Sequence, residues 1–466
     1  MRAPLVALAL LLVLAVPAAA GRLAAPAGTD WPTFGFDAAR SSAGPASTGI
    51  TASTVRHLKR QRVRLDGTVD SAPIYLHDVR VRGRSRDVFL LTTTYGRTEA
   101  LDATNGRVLW RFTPPGFADW VGTARITNAT PVADPSRTAI YAATPDGRVR
   151  KLRLSDGKQL WSASVTRDPT HEKLTSGLNV SRGLVIVTTG GYIGDAPPYQ
   201  GHVVTLSQKT GKIAHVWNSL CSDRHALIQP STCGSSDSAI WSRGGAGVDP
   251  DTGELVVATG NAPWNGSTDW GDSVLVLSPD ASKLLRHYTP ADQDNLNRSD
   301  LDLGSTSPAF LPGGYAVQFG GKDGILRLLN LRTLSGADTR TGGEVQTMLV
   351  PGPTAAFSQP AVWRNLVFVA DSAGTEALSF RGGKLHELWS NATGGTSPAV
   401  AGGLLYVATS GGLHVYVPSS GKLVATLPLG GIHWQSPIVA DGRIAIAEGN
   451  ANDHARSGAL DIYRVG

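Results

Sequence analysis

Short apolar runs bounded by Gly, Pro, Ser or Thr recur along almost the whole chain, as at Val88 to Thr92, Ala139 to Ala143, Leu184 to Thr188 and Leu255 to Ala258. Runs this short between turn formers predict buried strands rather than helices. No long stretch keeps a 3.6-residue apolar period, so helices are expected to be few. The runs group into a repeating unit. It opens on a small residue with Pro and passes through three or four apolar strands. It ends on Thr/Ser-x-Gly-Lys/Arg followed by an apolar residue or Trp. The first copy holds Ser71-Ala72-Pro73, Gly96 and Ala100-Leu101-Asp102-Ala103-Thr104-Asn105-Gly106-Arg107, ending at Trp110. Later copies open at Thr130-Pro131, Ser307-Pro308, Gln359-Pro360, Ser397-Pro398 and Ser436-Pro437, while the third and fourth center on Leu184 to Trp217 and Trp241 to Tyr288.

Eight copies at a spacing of about 50 residues match the scale of propeller blades. A single sheet of this size cannot bury both its faces, but eight arranged radially bury every interior face. The expected fold is all-β, an eight-bladed β-propeller of four-stranded antiparallel blades spanning residues 30–466 as one domain. Gln61 to Leu65 is expected to join the last blade and clasp the ring. Trp110, Trp161, Trp217 and Trp389 are expected to fill the wedges between blades, with the glycines of the Thr/Ser-x-Gly-Lys/Arg turns taking positive φ.

Composition adds a compartment. Arg2, the apolar run Leu5 to Val16, Pro17 and Ala18-Ala19-Ala20 form a leader-like start, with cleavage expected near Ala20 and a flexible segment over 21–29. The apolar run is short for a membrane span, no Cys follows it to carry a lipid, and no later stretch is apolar enough to cross a bilayer. A secreted or cell-envelope protein is expected. The two cysteines, Cys221 and Cys233, are then expected to form a local disulfide. The formal charge of +6 is dispersed apart from Arg56 to Arg64 and the alternating Arg80, Arg82, Arg84 and Arg86. Without aromatic interleaving, these speak for a solvated hairpin face or attraction to an acidic envelope, and against nucleic acid.

Candidate chemistry gathers between Trp241 and Lys322. Ile240-Trp241-Ser242-Arg243-Gly244-Gly245, Thr259-Gly260-Asn261-Ala262-Pro263-Trp264-Asn265, Ser299-Asp300-Leu301-Asp302 and Gly320-Gly321-Lys322-Asp323-Gly324 each flank a strand-like run at a turn. An indole, a carboxamide, carboxylates and an ammonium would share one polar pocket if the strands converge. Gly-x-Ser-x-Gly and His-Glu-x-x-His are absent, so a hydrolase reading ranks last.

The opening Asp30-Trp31-Pro32-Thr33-Phe34-Gly35-Phe36-Asp37, the blade signature ending at Trp110 and the central stretch resemble the quinoproteins, the PQQ-dependent alcohol dehydrogenases, over essentially the whole mature chain. The resemblance implies PQQ near the propeller axis beside Ca²⁺. It places the quinone ring on Trp241, a Ca²⁺ ligand oxygen on Asn261 and the catalytic base on Asp300, also a metal ligand, with Asp302 as rival base. It also places a hydrogen bond from Lys322 to the quinone oxygens. Two features of that family are missing. One is an adjacent-cysteine disulfide. The other is a glutamate ligand, for which Asp195 in the loop Gly191 to Gln200 is the substitute. No Cys-x-x-Cys-His is present for an attached haem. Oxidation of an alcohol, polyol or sugar, with a redox or envelope partner, is one expectation; a non-catalytic envelope scaffold or ligand-binding propeller is the other.

Overall fold

The computed structural model describes residues 28–465, so the leader expected over 1–20 and the residues through 27 lie outside the described residues. Eight four-stranded antiparallel sheets account for almost all regular structure. Among the described residues the α-helices are Phe117–Trp120 and Gln293–Arg298. Blade 1 is made of Ile74–Val81, Arg84–Thr92, Thr98–Asp102 and Val108–Phe112; blade 4 of Gly247–Val248, Leu255–Ala258, Val274–Leu277 and Leu284–Tyr288. The first strands of blades 5 to 8 touch in succession, as do those of blades 8 and 1, so they line the axis. In an antiparallel meander of this order, the second-to-third turns and the links between blades emerge on one face of the disc. The first-to-second and third-to-fourth turns emerge on the other.

The wedges between blades are filled by the repeat's own residues. The Trp110 indole lies on Gly157 of the next blade, where a Cβ would come within 2.5 Å of the ring, and its Nε1 donates to the Leu154 carbonyl at 2.7 Å. Trp161 on Gly211 and Trp389 on Gly421 repeat the relation, donating to the carbonyls of Gln208 and Pro418. The turn glycine therefore serves twice. At Gly157 it takes a φ of 74°, and it leaves room for the neighboring indole. The arginine-rich stretch is the hairpin of the first two strands of blade 1, with Arg80, Arg82 and Arg84 exposed.

Ring closure follows the sequence. Lys59–Leu65 pairs antiparallel with Gly458–Arg464 over seven residues, supplying the outer strand of blade 8. Arg60 bridges Glu448 at 2.8 Å and Asp461 at 2.7 Å, and Arg62 also reaches Glu448. Burial, with Glu448 adding repulsion and Arg60 opposing, pushes the Asp461 carboxyl up to about 6. A carboxyl raised in the folded state contributes stability that is fully present below its unfolded value near 3.8 and is lost as pH rises through about 6. Thermal melts between pH 4 and 7 are expected to show this loss, of order 1 kcal/mol after solvent screening. Asp461→Asn is expected to flatten that part of the profile.

The face carrying the first-to-second turns is sealed by residues 30–50. Pro32, Ala38, Ser41 and Ser42 carbonyls accept from the backbone N–H of Ala133, Val248, Val362 and Val400, each at 2.8 Å, so one segment is stitched to blades 2, 4, 6 and 7. At its center Arg40 is fully buried. The guanidinium donates to the carbonyls of Gly244, Phe34, Gly177 and Leu178 and to the Thr33 hydroxyl, at 2.6–3.1 Å. The segment thereby caps this end of the axis, and the clefts on the axis open on the other face.

Candidate functional site

The open face carries the links between blades and the second-to-third turns, and these bring the separated sequence motifs together. Trp241 lies in the link from blade 3 to blade 4, Asn261 in the inner turn of blade 4, Asp300 and Asp302 in the link to blade 5, and Lys322 in the inner turn of blade 5. Glycine makes the approach possible. A Cβ on Gly260 would sit 2.1 Å from the Asp302 carboxylate, and one on Gly321 would sit 2.0 Å from the Asp302 carbonyl. The Lys322 N–H donates to that carbonyl at 3.1 Å, which fixes one loop on the other.

The charged center is Lys322 between two carboxylates, 2.5 Å from Asp300 Oδ1 and 2.7 Å from Asp302 Oδ2. The Asp302 side chain is 12% exposed and that of Asp300 65% exposed. Burial raises the Asp302 carboxyl above the usual range in spite of Lys322. Burial also pulls the Lys322 ammonium down, but the two carboxylates outweigh it and hold the group above its ordinary value. Asn261 completes the arrangement. Its backbone N–H donates to Asp302 Oδ1 at 2.8 Å, and its Nδ2 donates to Asp300 Oδ1 at 2.8 Å. A carboxylate only accepts, so the amide nitrogen must face Asp300. The amide oxygen, Oδ1, is left buried with no hydrogen-bond partner.

Asp195 stands in the long inner turn of blade 3 and lines the same pocket. Its Oδ1 accepts from the Tyr199 hydroxyl at 2.9 Å. Asp237, which the sequence did not single out, lies behind this wall, its backbone N–H donating to the Tyr199 carbonyl at 2.9 Å. Burial raises the Asp237 carboxyl, reinforced by repulsion from Asp195 and Asp302. Asp195, Asp237 and Asp300 all hold positive φ, at 45°, 83° and 53°, a conformation that L residues adopt at a cost. Among the described residues no three His, Cys, Asp or Glu side chains form a metal cluster on their own. The oxygen donors here are carboxylates plus one amide.

The pocket has a cavity of about 220 Å³, below the roughly 300–1,000 Å³ of most ligand sites. Trp241 forms part of its wall, 6.1 Å from the Phe357 ring and 6.0 Å from Trp434. Phe357 and Trp434 stack on each other at 4.9 Å. Two cations, Lys173 and Arg243, also line it. Burial, with the Arg243 charge added, brings the Lys173 amine down to about 7. Arg243 is held by Asp70 at 3.3 Å and lies 4.8 Å over Trp434. Thus all five sequence candidates, Trp241, Asn261, Asp300, Lys322 and Asp195, fall on one site, together with the rival Asp302. Lys173, Arg243, Asp237, Phe357 and Trp434 were missed. Phe357 and Trp434 directly precede Ser358-Gln359-Pro360 and Gln435-Ser436-Pro437, which open blades 6 and 8; an aromatic at that place was the available signal.

Cys221 and Cys233 are disulfide-bonded, as expected, in the loop following the outer strand of blade 3. No helix among the described residues is long and apolar enough to cross a membrane.

Comparison with known proteins finds a matching family model, curated relatives and solved structures. The family model described as outer membrane protein assembly factor BamB matches residues 59–230 and 96–282. The quinohemoprotein alcohol dehydrogenase ADH IIB of Pseudomonas putida is 28% identical over 334 residues, covering 63% of this chain and 46% of that protein. The chain thus spans less than half the length of this curated relative. Among solved structures, the quinohemoprotein alcohol dehydrogenase of Comamonas testosteroni superposes with a TM-score of 0.69 at 17% identity, covering 94% of this chain and 80% of that one. A europium-containing methanol dehydrogenase gives 0.68 at 15% identity, covering 94% and 98%.

Proposed function

Because the chain is a β-propeller like that of the PQQ-dependent alcohol dehydrogenases, we propose that its axial pocket holds PQQ beside a hard cation and oxidizes an alcohol, polyol or sugar. The observation that carries this reading is the Asn261 amide oxygen, buried without a partner among carboxylates. A buried acceptor left unpaired is costly, and a hard cation takes oxygen ligands of this kind. The residues present fit the pair. Asn261, with Asp300 and Asp195 as charged donors, would hold Ca²⁺ or a lanthanide. Trp241 would offer its face to the quinone ring, and Lys173 and Arg243 would meet carboxylates on the cofactor. When bound, the quinone supplies a two-electron acceptor and the cation supplies Lewis acidity.

The chain's own part is proton transfer and orientation. Both oxygens of Asp302 are engaged, Oδ1 by the Asn261 N–H and Oδ2 by Lys322. At Asp300 both contacts fall on Oδ1, so Oδ2 is the oxygen that would take the substrate's hydroxyl proton. Asp302 then positions Lys322, and Lys322 would donate toward the quinone oxygens. An exported location suits the Cys221–Cys233 disulfide.

The second reading, a non-catalytic scaffold or binding propeller, is favored by the BamB description of the matching family and by the small cavity beside Trp241. Dye-linked oxidation separates the two. Full-length protein given PQQ and either Ca²⁺ or Eu³⁺ is expected to oxidize alcohols, with turnover about 10²–10⁴-fold lower in Asp300→Asn. No cofactor-dependent turnover with any alcohol would leave the scaffold reading.

A further inference from the structure

A second chamber opens beside the first on the same face, and the Phe357–Trp434 stack is the wall they share. Its volume is about 460 Å³, roughly twice that of the first pocket and within the usual range for a small-molecule site. We propose that this chamber binds an uncharged polyhydroxylated molecule, a polyol or sugar. As the substrate's subsite it rests on the alcohol-oxidizing reading above; as a binding site it stands on its own geometry.

The lining argues for that chemistry. Hydroxyls of Ser358, Thr396 and Thr409 are buried in it, and those of Ser372 and Ser410 stand at its exposed rim. The protons of two buried hydroxyls are committed to backbone: Ser358 donates to the Ala370 carbonyl and Thr409 to the Gly412 carbonyl. Their oxygens are therefore left as acceptors, although that of Thr409 already takes the Gly411 N–H at 3.1 Å. Asp371 adds a carboxylate, held by the N–H groups of Ala373 and Gly374 at 2.7 and 3.1 Å. A chamber rich in acceptors wants a ligand rich in donors, and each hydroxyl of a polyol is one. No Lys or Arg lines it, so an anion would meet Asp371 unopposed. A cation would find a single carboxylate, whose Oδ1 is already taken by those two N–H groups. Trp434 is already stacked by Phe357 and by His433 at 3.7 Å, so the wall offers the apolar ring surface of Phe357 and His433 to the C–H groups of a sugar or polyol. A simple aliphatic alcohol, with one hydroxyl, would meet fewer of the acceptors, which a site of this kind penalizes.

Saturation-transfer NMR on the full chain without cofactor tests the chamber directly. The probes are sorbitol, 1-hexanol (the same carbon count with one hydroxyl), gluconate and 1,6-diaminohexane. Saturable sorbitol binding is expected, with each other probe at least about tenfold weaker. Thr396→Val removes one buried hydroxyl at constant shape and is expected to weaken sorbitol severalfold. Ser410→Trp, at the exposed rim where folding is not at risk, is expected to abolish binding by blocking entry. No saturation by sorbitol, equal or tighter binding of any other probe, or unchanged binding in Ser410→Trp would overturn the proposal. The readout needs no quinone. Sorbitol binding without PQQ retention would leave the chamber and remove the dehydrogenase; PQQ retention without sorbitol binding would do the reverse.

Discussion

Replacing Lys322 with alanine is expected to lower cofactor-dependent turnover by about 10²–10³-fold, the scale of losing one preorganized charge donor. The same change leaves Asp300 and Asp302 facing each other without the ammonium now 2.5 and 2.7 Å away. Removing one partner of a buried pair costs about 3–5 kcal/mol. Lys322 is 21% exposed, which puts the expected loss at the low end, about 3 kcal/mol. Stability and activity must then be separated. The double variant Lys322→Met with Asp302→Asn removes both charges of the buried pair and is expected to regain most of the stability. It is expected to stay inactive, because the donor is still missing. Denaturant melts and dye-linked rates on the parent and these two variants check both halves. Recovery of turnover in the double variant would show that Lys322 matters for folding only.

Arg40→Leu is expected to destabilize the protein by more than any single surface change, by about 3–5 kcal/mol. Five donor contacts end at carbonyl oxygens and one hydroxyl inside the sealed end of the channel. Leucine leaves those acceptors buried and unpaired, each costing about 1–3 kcal/mol before relaxation. Lysine keeps the charge but not the planar fork, so Arg40→Lys is expected to recover only part of the loss. Urea melts would read both variants. Because the segment 30–50 ties blades 2, 4, 6 and 7 across the axis, proteolysis is expected to begin sooner at the ring closure, Lys59–Leu65, in Arg40→Leu than in the parent.

The ring was legible because each blade repeats its own instructions. A small residue with Pro opens it, a glycine turns it, and the Trp that ends one blade sits on the turn glycine of the next, as Trp110 does on Gly157. Even the clasp at Gln61 to Leu65 could be read, since it is an extra strand where the last copy lacks one. The plug could not. Residues 30–50 carry no period, and their partners are backbone groups of distant blades, which no local pattern encodes. The site divides the same way. Trp241, Asn261, Asp300 and Lys322 stand at turns in neighboring blades, so their meeting follows from the ring. Lys173 and Arg243 look like ordinary charges in the sequence and become pocket groups only because the axis buries them. Asp237 was hidden for another reason: it reaches the site through the Tyr199 backbone in the turn of blade 3, a contact between loops rather than within a repeat.

Whether the axial pocket holds PQQ can be read from cofactor retention. Full-length protein is mixed with excess PQQ and Ca²⁺ and desalted, and the cofactor's absorbance is read on the protein peak, with Asn261→Ala run alongside. Cofactor is expected on the parent peak, with its loss or a strong reduction when the unpartnered amide oxygen is removed. A parent protein that emerges stripped of PQQ, or an Asn261→Ala protein that keeps it in full, would rule out a quinone held beside Asn261.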